Sequence, residues 1–258
     1  MVTKEQIAAR IESLEREHKA VKTQVEVYKL SNNASYGKFG SQYSPLFSPQ
    51  LLTQVTLTGQ LALLLLIERL EAAGAKVVSA NTDGVTVLHR EHIDPQINGW
   101  QAETGFGLER VDYQAVYSRD VNNYVAIKTD GSVKGKGIFT TPGLMKNPQK
   151  PIITRAVMSC LADGVPITDT VTGCEDLTEF LTVRTVRGGA VWRWDEVGKV
   201  VRWYRGVTGE PIYYLNGNLV PSSDNAAVVQ DLPDRIPDDL DHQWYINEAK
   251  ELLEVVGA

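Results

Sequence analysis

From Met1 to Tyr36 the chain contains neither glycine nor proline, and Ile7, Ile11, Leu14, Val21, Val25 and Tyr28 recur there at helical spacing. Thr3-Lys4-Glu5-Gln6 has the Ser/Thr-x-x-Glu/Gln form of a capping box, which starts a helix by pairing its first free amides. The pattern leaves a break near His18 open but favours one continuous helix. About 33 residues at 1.5 Å each give roughly 50 Å, longer than most globular helices. A second face of the same helix carries Lys22, Glu26, Lys29, Asn33 and Tyr36 at steps of four and three. It can present two ammonium groups, an amide and a phenol along one line, and without further context it reads as a solvated surface.

Gly37-Lys38-Phe39-Gly40 breaks this helix, and a Ser/Pro/Tyr-rich loop follows. Ser48-Pro49 restarts the chain with a serine cap and a proline at the first helical position, and Gly74 is the natural stop. This second helix is apolar nearly all round from Leu61 to Leu66, so it is expected to be a core helix buried on several sides. Gln54, Gln60, Glu68 and Arg69 flank the apolar run, which is read as too short and too polar to span a bilayer, so no membrane partner is expected. Next come two β-branched runs, Val77 to Ala80 and Val85 to Val87, joined by Asn81-Thr82-Asp83-Gly84. That is the pattern of a hairpin whose Asp-Gly turn uses the positive φ open to glycine. It holds one carboxylate, Asp83, at its tip, and by itself an Asp-Gly is a turn former.

His89 and His92, with Asp94, have the spacing of a metal pair but are read as exposed loop histidines. The pattern is strand-like from Gly107 to Lys128, turns at Thr129-Asp130-Gly131, and resumes through Lys134-Gly135-Lys136-Gly137. Alternating lysines place both ammonium groups on one strand face, and the glycines are expected to let a phosphate backbone approach. Thr141-Pro142-Gly143 and Asn147 to Pro151 read as a linker, followed by helices at about 151–163 and 176–183. The β-rich sequence beyond contains Trp192-Arg193-Trp194 and Arg202-Trp203-Tyr204-Arg205, which suit either base stacking or core packing. An extended acidic segment, 231–241, leads to a last helix ending near Val256.

Net charge is -6, yet from Asp224 onward the chain carries nine acids and only Arg235 and Lys250 as bases, leaving the rest near neutral. Between Arg119 and Arg155 seven bases face only Asp120 and Asp130, a local basic patch. Cys160 and Cys174 lack metal spacing and read as reduced thiols in a cytoplasmic setting, with no signal peptide ahead of the first helix.

Two of these stretches, in this order, resemble motifs of family B DNA polymerases, in particular the shorter phage enzymes. Lys29-Leu30-Ser31-Asn32-Asn33-Ala34-Ser35-Tyr36-Gly37 is similar to the fingers motif Lys-x-x-x-Asn-Ser-x-Tyr-Gly, and Asn81-Thr82-Asp83 to the palm motif Asp-Thr-Asp. The likeness is strongest from about Lys19 to Val87 and weaker from Tyr113 to Gly137. It implies an α+β chain: a long fingers helix in 1–40, a palm helix and antiparallel hairpin sheet in 41–140, and a mixed α/β thumb with the acidic segment in 141–258. Asp83 would be the catalytic carboxylate and a ligand of two Mg²⁺ ions. Lys29, with Lys22 as a second candidate, would contact the triphosphate of a deoxynucleoside triphosphate, and Asn33 and Tyr36 the nascent base pair. Gly37, Tyr124, Lys134 and Lys136 would meet primer-template DNA.

The sequence departs from the family pattern at Ala34, where serine is usual, at Asn81, where the first aspartate of Asp-Thr-Asp stands, and at Asn122-Asn123-Tyr124, which lacks the lysine of Lys-x-Tyr. Nothing before Lys29 matches the other palm motif, Asp-x-x-Ser-Leu-Tyr-Pro, or a proofreading exonuclease. Because the chain opens with Met1 on its own capping box, the favoured expectation is one half of a naturally split polymerase, with a cloned fragment of a polymerase as the other possibility, active with a partner chain that bears the exonuclease and the first palm motif, in the host-cell cytoplasm if phage-encoded. The alternative is a non-catalytic nucleic-acid-binding module derived from a polymerase.

Overall fold

The computed structural model describes residues 4–88, 93–140, 147–233 and 235–257, a mixed α+β chain in two compact units, Met1–Leu108 and Glu109–Ala258. Thr3, His89, His92 and Thr141 to Gly143 lie outside the described residues, and so do the expectations placed on them.

In the first unit, α1 (Lys4–Phe39) runs unbroken through His18, and it continues three residues past Tyr36 before Gly40 ends it. Gly37 is thus a helical residue rather than a break, a cost of about 1 kcal/mol relative to alanine that the preceding 33 described residues of helix absorb. The chain turns back at once, the Ser48 N–H donating to the Phe39 carbonyl over 3.0 Å. Ser48 caps α2 (Pro49–Ala72), its Oγ accepting from the Leu51 N–H, and Gly74 leaves the helix at φ +84. After α2 come β1 (Lys76–Asn81) and β2 (Gly84–Leu88), an antiparallel pair, and then α3 (Asp94–Thr104).

The core of this unit is small. Leu66 and Leu70 of α2 pack with Ala75, Ile93 and Trp100, while Val85 and Val87 close it from the hairpin. Trp100 donates its indole N–H to the Ala62 carbonyl over 2.7 Å, and Arg69 pairs with Glu103. Helix α3 was unexpected, since its sequence is too polar to show an apolar stripe. Asp94-Pro95 starts it and Gly105, at φ +72, ends it. The reading of α2 as a core helix is overturned: only 6% of its most apolar 18-residue window is buried, because α3 and the hairpin cover a single face. The same window has a mean hydropathy of 1.5, and by length and composition alone the helix is long and apolar enough to cross a membrane.

The second unit begins with an antiparallel sheet of β3 (Tyr113–Asp120), β4 (Asn123–Lys128) and β5 (Val133–Lys136), in the order β3-β4-β5. The strand-like run thus starts at Tyr113 rather than Gly107, and it folds over at Val121-Asn122. Helix α4 (Pro151–Asp163) is where the sequence places it. The expected helix at 176–183 is instead a short 3₁₀ turn, Leu177–Phe180, running into β6 (Thr182–Trp192), while α5 (Ile167–Thr172) precedes it. Val183 and Val186 favour a strand once a neighbour is there to pair with. That neighbour is the 16-residue β7 (Asp195–Glu210), and β8 (Tyr213–Tyr214) and β9 (Ala226–Val228) complete a sheet in the order β8-β6-β7-β9.

Helix α6 (His242–Glu254) is capped by Asp241 and buries Tyr245, Ile246 and Ala249. They pack with Val125, Phe139, Ile152, Val157, Phe180 and Tyr204 into one core. Val186, Val201, Trp203 and Ile212 form a second cluster on the four-stranded sheet. Both cysteines are free thiols.

Candidate functional site

The first unit brings two of the sequence motifs into one compact body. Lys22, Lys29, Asn33 and Tyr36 are exposed on α1, one above another in the order the helical spacing requires. At the foot of the helix, the Tyr36 hydroxyl lies 2.7 Å from Thr56 Oγ1 on α2. Thr56 already donates to the Leu52 carbonyl, so Tyr36 is the donor and Thr56 the acceptor. The phenol is therefore held by α2, the same helix that delivers the chain to the hairpin. Thr56 had no sequence signal: it lies twenty positions from Tyr36 and in no motif.

The hairpin tip differs from the expected Asp-Gly turn. Asn81 pairs with Gly84, so Thr82 and Asp83 are the two loop residues. Neither has a positive φ, and Gly84 also lies outside the left-handed region. A Cβ added to Gly84 would meet nothing within 4 Å, so within this chain neither turn geometry nor packing requires glycine there. Asn81 organises the tip, its Oδ1 accepting from the Thr82 N–H at 2.9 Å and the Thr82 hydroxyl at 3.0 Å. Asp83 is exposed at the turn. Among the described residues no three His, Cys, Asp or Glu side chains gather as a metal cluster.

The remaining candidates belong to the second unit. Tyr124 on β4 faces Lys136 on β5 in register, and Ala126 faces Lys134, so the tyrosine and both lysines share a sheet face. Both lysines are exposed, and the Lys136 ammonium sits 5.8 Å from the Tyr124 ring centroid. The opposite face, with Tyr117, Val125 and Val133, enters the core. Gly135 and Gly137 are required by the fold itself. A Cβ on Gly135 would collide with the Phe139 carbonyl, and Gly137, at φ +65, lies against Asn122 and the Asn123 side chain.

The preceding turn is built on Asp120. Its carboxylate accepts from the Asn123 amide at 2.8 and 3.0 Å, from Arg119 Nε at 2.8 Å and from the Asn122 N–H at 2.9 Å. Those contacts, the Asn123 amide first, hold its pKa down at about 2. Asn123 Oδ1 in turn accepts the Ile138 N–H, so the segment without the family's lysine is a rigid, internally satisfied turn.

The aromatic-arginine stretches divide. Trp203 and Tyr204 are buried in the two cores. Arg193 and Trp194 form the β6–β7 turn, with φ of 50° and 73°, and Trp194 is 98% exposed.

No family model matches the chain. Over 158 residues, 57% of its length, it is 25% identical to DNA polymerase 1 of Sulfurisphaera ohwakuensis and spans 18% of that protein. Its fold aligns over 97% of its length with the family B DNA polymerase of the hyperthermophilic archaeon Pyrobaculum calidifontis. The TM-score is 0.56, the identity 15%, and the chain spans 38% of that polymerase. The chain is therefore similar in sequence to part of a DNA polymerase, and it has the fold of a portion of a family B DNA polymerase.

Proposed function

We propose that this chain is the second-fingers-helix, partial-palm and thumb portion of a template-directed DNA polymerase of the phage type, completed by a partner polypeptide that carries the other palm carboxylate. One observation carries the reading. Lys29, Asn33 and Tyr36 lie in order on α1, and Tyr36 is tied to α2, which leads directly into the hairpin bearing Asp83. Lys29, with Lys22 further along, would bind the triphosphate by charge, and Asn33 and Tyr36 would lie against the new base pair. Tyr124, Lys134 and Lys136 would hold the primer-template backbone.

Asp83 offers a hard carboxylate oxygen of the kind Mg²⁺ takes one or two of, alongside substrate phosphates. Two such ions would activate the primer hydroxyl and neutralise the departing phosphates. Asn81 brings no second charge, and its amide oxygen is engaged by Thr82, so the other carboxylate comes from the partner.

Uncovered apolar surface supports such a partner. Ile7, Ile11, Leu14, Val21, Val25 and Tyr28 on α1 are between 45% and 69% exposed. With His18 they follow a 3.5-residue repeat, the seam by which one helix packs on another. Leu57, Leu61 and Leu64 line an exposed face of α2. Gly37 and Gly84 have open space around them, which suits close approach by a substrate or by the partner.

The test is primer extension with Mg²⁺ by this chain alone and after mixing with a polypeptide bearing the Asp-x-x-Ser-Leu-Tyr-Pro motif. Extension only in the mixture is expected. A second reading, a non-catalytic nucleic-acid-binding module, draws on Asn81 acting as a turn organiser. Primer-template binding without extension in the mixture would decide for it.

A further inference from the structure

The second unit contains a cavity of about 280 Å³ that no part of the polymerase reading uses, lined by Lys150, Thr182, Arg205, Ser222, Trp244 and Glu248 among others. We propose that it binds a phosphate group, as a free phosphate, a phosphomonoester or a backbone phosphodiester, between Lys150 and Arg205.

Both cations sit against one indole. Lys150 Nζ is 4.4 Å and the Arg205 guanidinium carbon 4.8 Å from the Trp244 ring centroid. Like charges gathered at one ring repel each other, and their carboxylate partners are loosely placed. Lys150 is 3.6 Å from Glu248, and Arg205 Nε is 4.0 Å from Asp241. Arg205 uses its Nη1 on the Asp224 carbonyl, but its Nε is buried and has no hydrogen-bond acceptor. A buried charged donor left without an acceptor is costly, and an anion in the cavity would supply one.

The two acids of the lining do not cancel this preference. Asp224 is an exposed residue and the Glu248 side chain is 36% exposed, against 21% and 25% for Lys150 and Arg205. Of the charges lining the cavity the cations are the deeper, and Asp241, as deep as Arg205, is not among the lining residues. Burial lowers the Lys150 pKa, the Arg205 charge adding to that effect and Glu248 opposing it, so an anion beside the ammonium would be stabilising.

The backbone adds a further sign. Lys150 and Ser222 both adopt left-handed φ, 51° and 62°, and strain of this kind in non-glycine residues gathers at functional sites. The choice of phosphate over a simple carboxylate follows from the donors. The lining offers a guanidinium, an ammonium and the hydroxyl residues Ser222 and Thr182, a set of donors that the tetrahedrally spread oxygens of a phosphate meet from more directions than a planar carboxylate. The volume lies near the lower end for ligand pockets and leaves room for the group attached to the phosphate.

The test uses the full chain labelled with 5-fluorotryptophan, the Trp244 resonance being assigned from Trp244→Phe. Inorganic phosphate, and separately primer-template DNA, are titrated at ionic strength matched with sodium chloride. A saturable shift of the Trp244 resonance with inorganic phosphate is expected, weakened about tenfold or more in Lys150→Gln and in Arg205→Gln. A matching shift with DNA assigns the site to the nucleic-acid backbone, and a shift with phosphate alone assigns it to a free phosphate or phosphomonoester. No saturable shift in the folded wild-type chain overturns the proposal, as does the same shift with chloride, or with phosphate in folded Lys150→Gln. The outcome is independent of primer extension, so the site and the polymerase reading stand or fall separately.

Discussion

Replacing Tyr245 by phenylalanine removes a single oxygen from the centre of the second unit, and its consequence can be worked from the contacts. The Tyr245 hydroxyl donates to the Phe180 carbonyl at 2.9 Å and accepts the Arg205 N–H at 2.8 Å. It therefore joins α6 to the 3₁₀ turn ahead of β6 and to β7. The residue is fully buried, its ring edge-on to Phe180 and Trp244. Tyr245→Phe keeps the ring and orphans one acceptor and one donor, each worth about 1–3 kcal/mol when buried. Water entering from the adjacent cavity recovers part of this, so a net loss of about 2 kcal/mol is expected. Urea unfolding followed by tryptophan fluorescence should show a lower midpoint at unchanged slope, and Tm should fall by roughly 4–8 °C. Tyr245→Ala, which also empties the ring site, should cost about 3–5 kcal/mol. A Tyr245→Phe loss below about 0.5 kcal/mol would refute the bridging role.

Other outcomes follow from the same structure. Burial raises the phenol pKa of Tyr204 and Tyr245 above their ordinary value of 10.0, so their stabilising contribution is full below pH 10 and is lost as pH rises beyond it. Alkaline titration should unfold the wild type at lower pH than Tyr204→Phe, provided the two are compared relative to their stability at pH 7. Asp120, held at about 2 against an ordinary 3.8, contributes above pH 3.8 and loses that contribution as pH falls towards 2. Carboxyl NMR should find its midpoint well below the ordinary 3.8, and Asp120→Asn should remove the effect. Gly37→Ala should stabilise α1 by up to about 1 kcal/mol, read by circular dichroism, while lowering primer extension in the assembled enzyme, because Gly37 has no packing constraint within the chain. Trp194→Gly should raise stability by about 1 kcal/mol by relieving the left-handed turn, yet weaken primer-template binding if the exposed indole stacks on a base. Unchanged DNA affinity would confine Trp194 to the turn.

The sequence was most legible where the determinants are local. Serine, proline and glycine bounded α2 to within a residue or two, and helical spacing alone aligned Lys22, Lys29, Asn33 and Tyr36 on α1. Alternation gave β4 and β5 and the shared face of Lys134 and Lys136. What could not be read depends on partners distant in the chain. Residues 182 and 183 became strand only because β7 pairs with them. Periodicity reported that α2 was apolar but not that a single face would be covered. The Tyr36–Thr56 bond and the gathering of Lys150, Arg205 and Trp244 leave no spacing to detect.

In the proposed function Asp83 is a catalytic carboxylate rather than a turn former. It is exposed on a tip organised by Asn81, so Asp83→Asn should change unfolding free energy by no more than about 0.5 kcal/mol. The decisive measurement is Mg²⁺-dependent primer extension by the wild-type and Asp83→Asn chains, each assembled with the polypeptide bearing the first palm motif and checked for equal assembly and equal primer-template affinity. Extension by the wild type and its loss in Asp83→Asn, by about a thousandfold or more, is the expected result. Extension by fully assembled Asp83→Asn at the wild-type rate would contradict it.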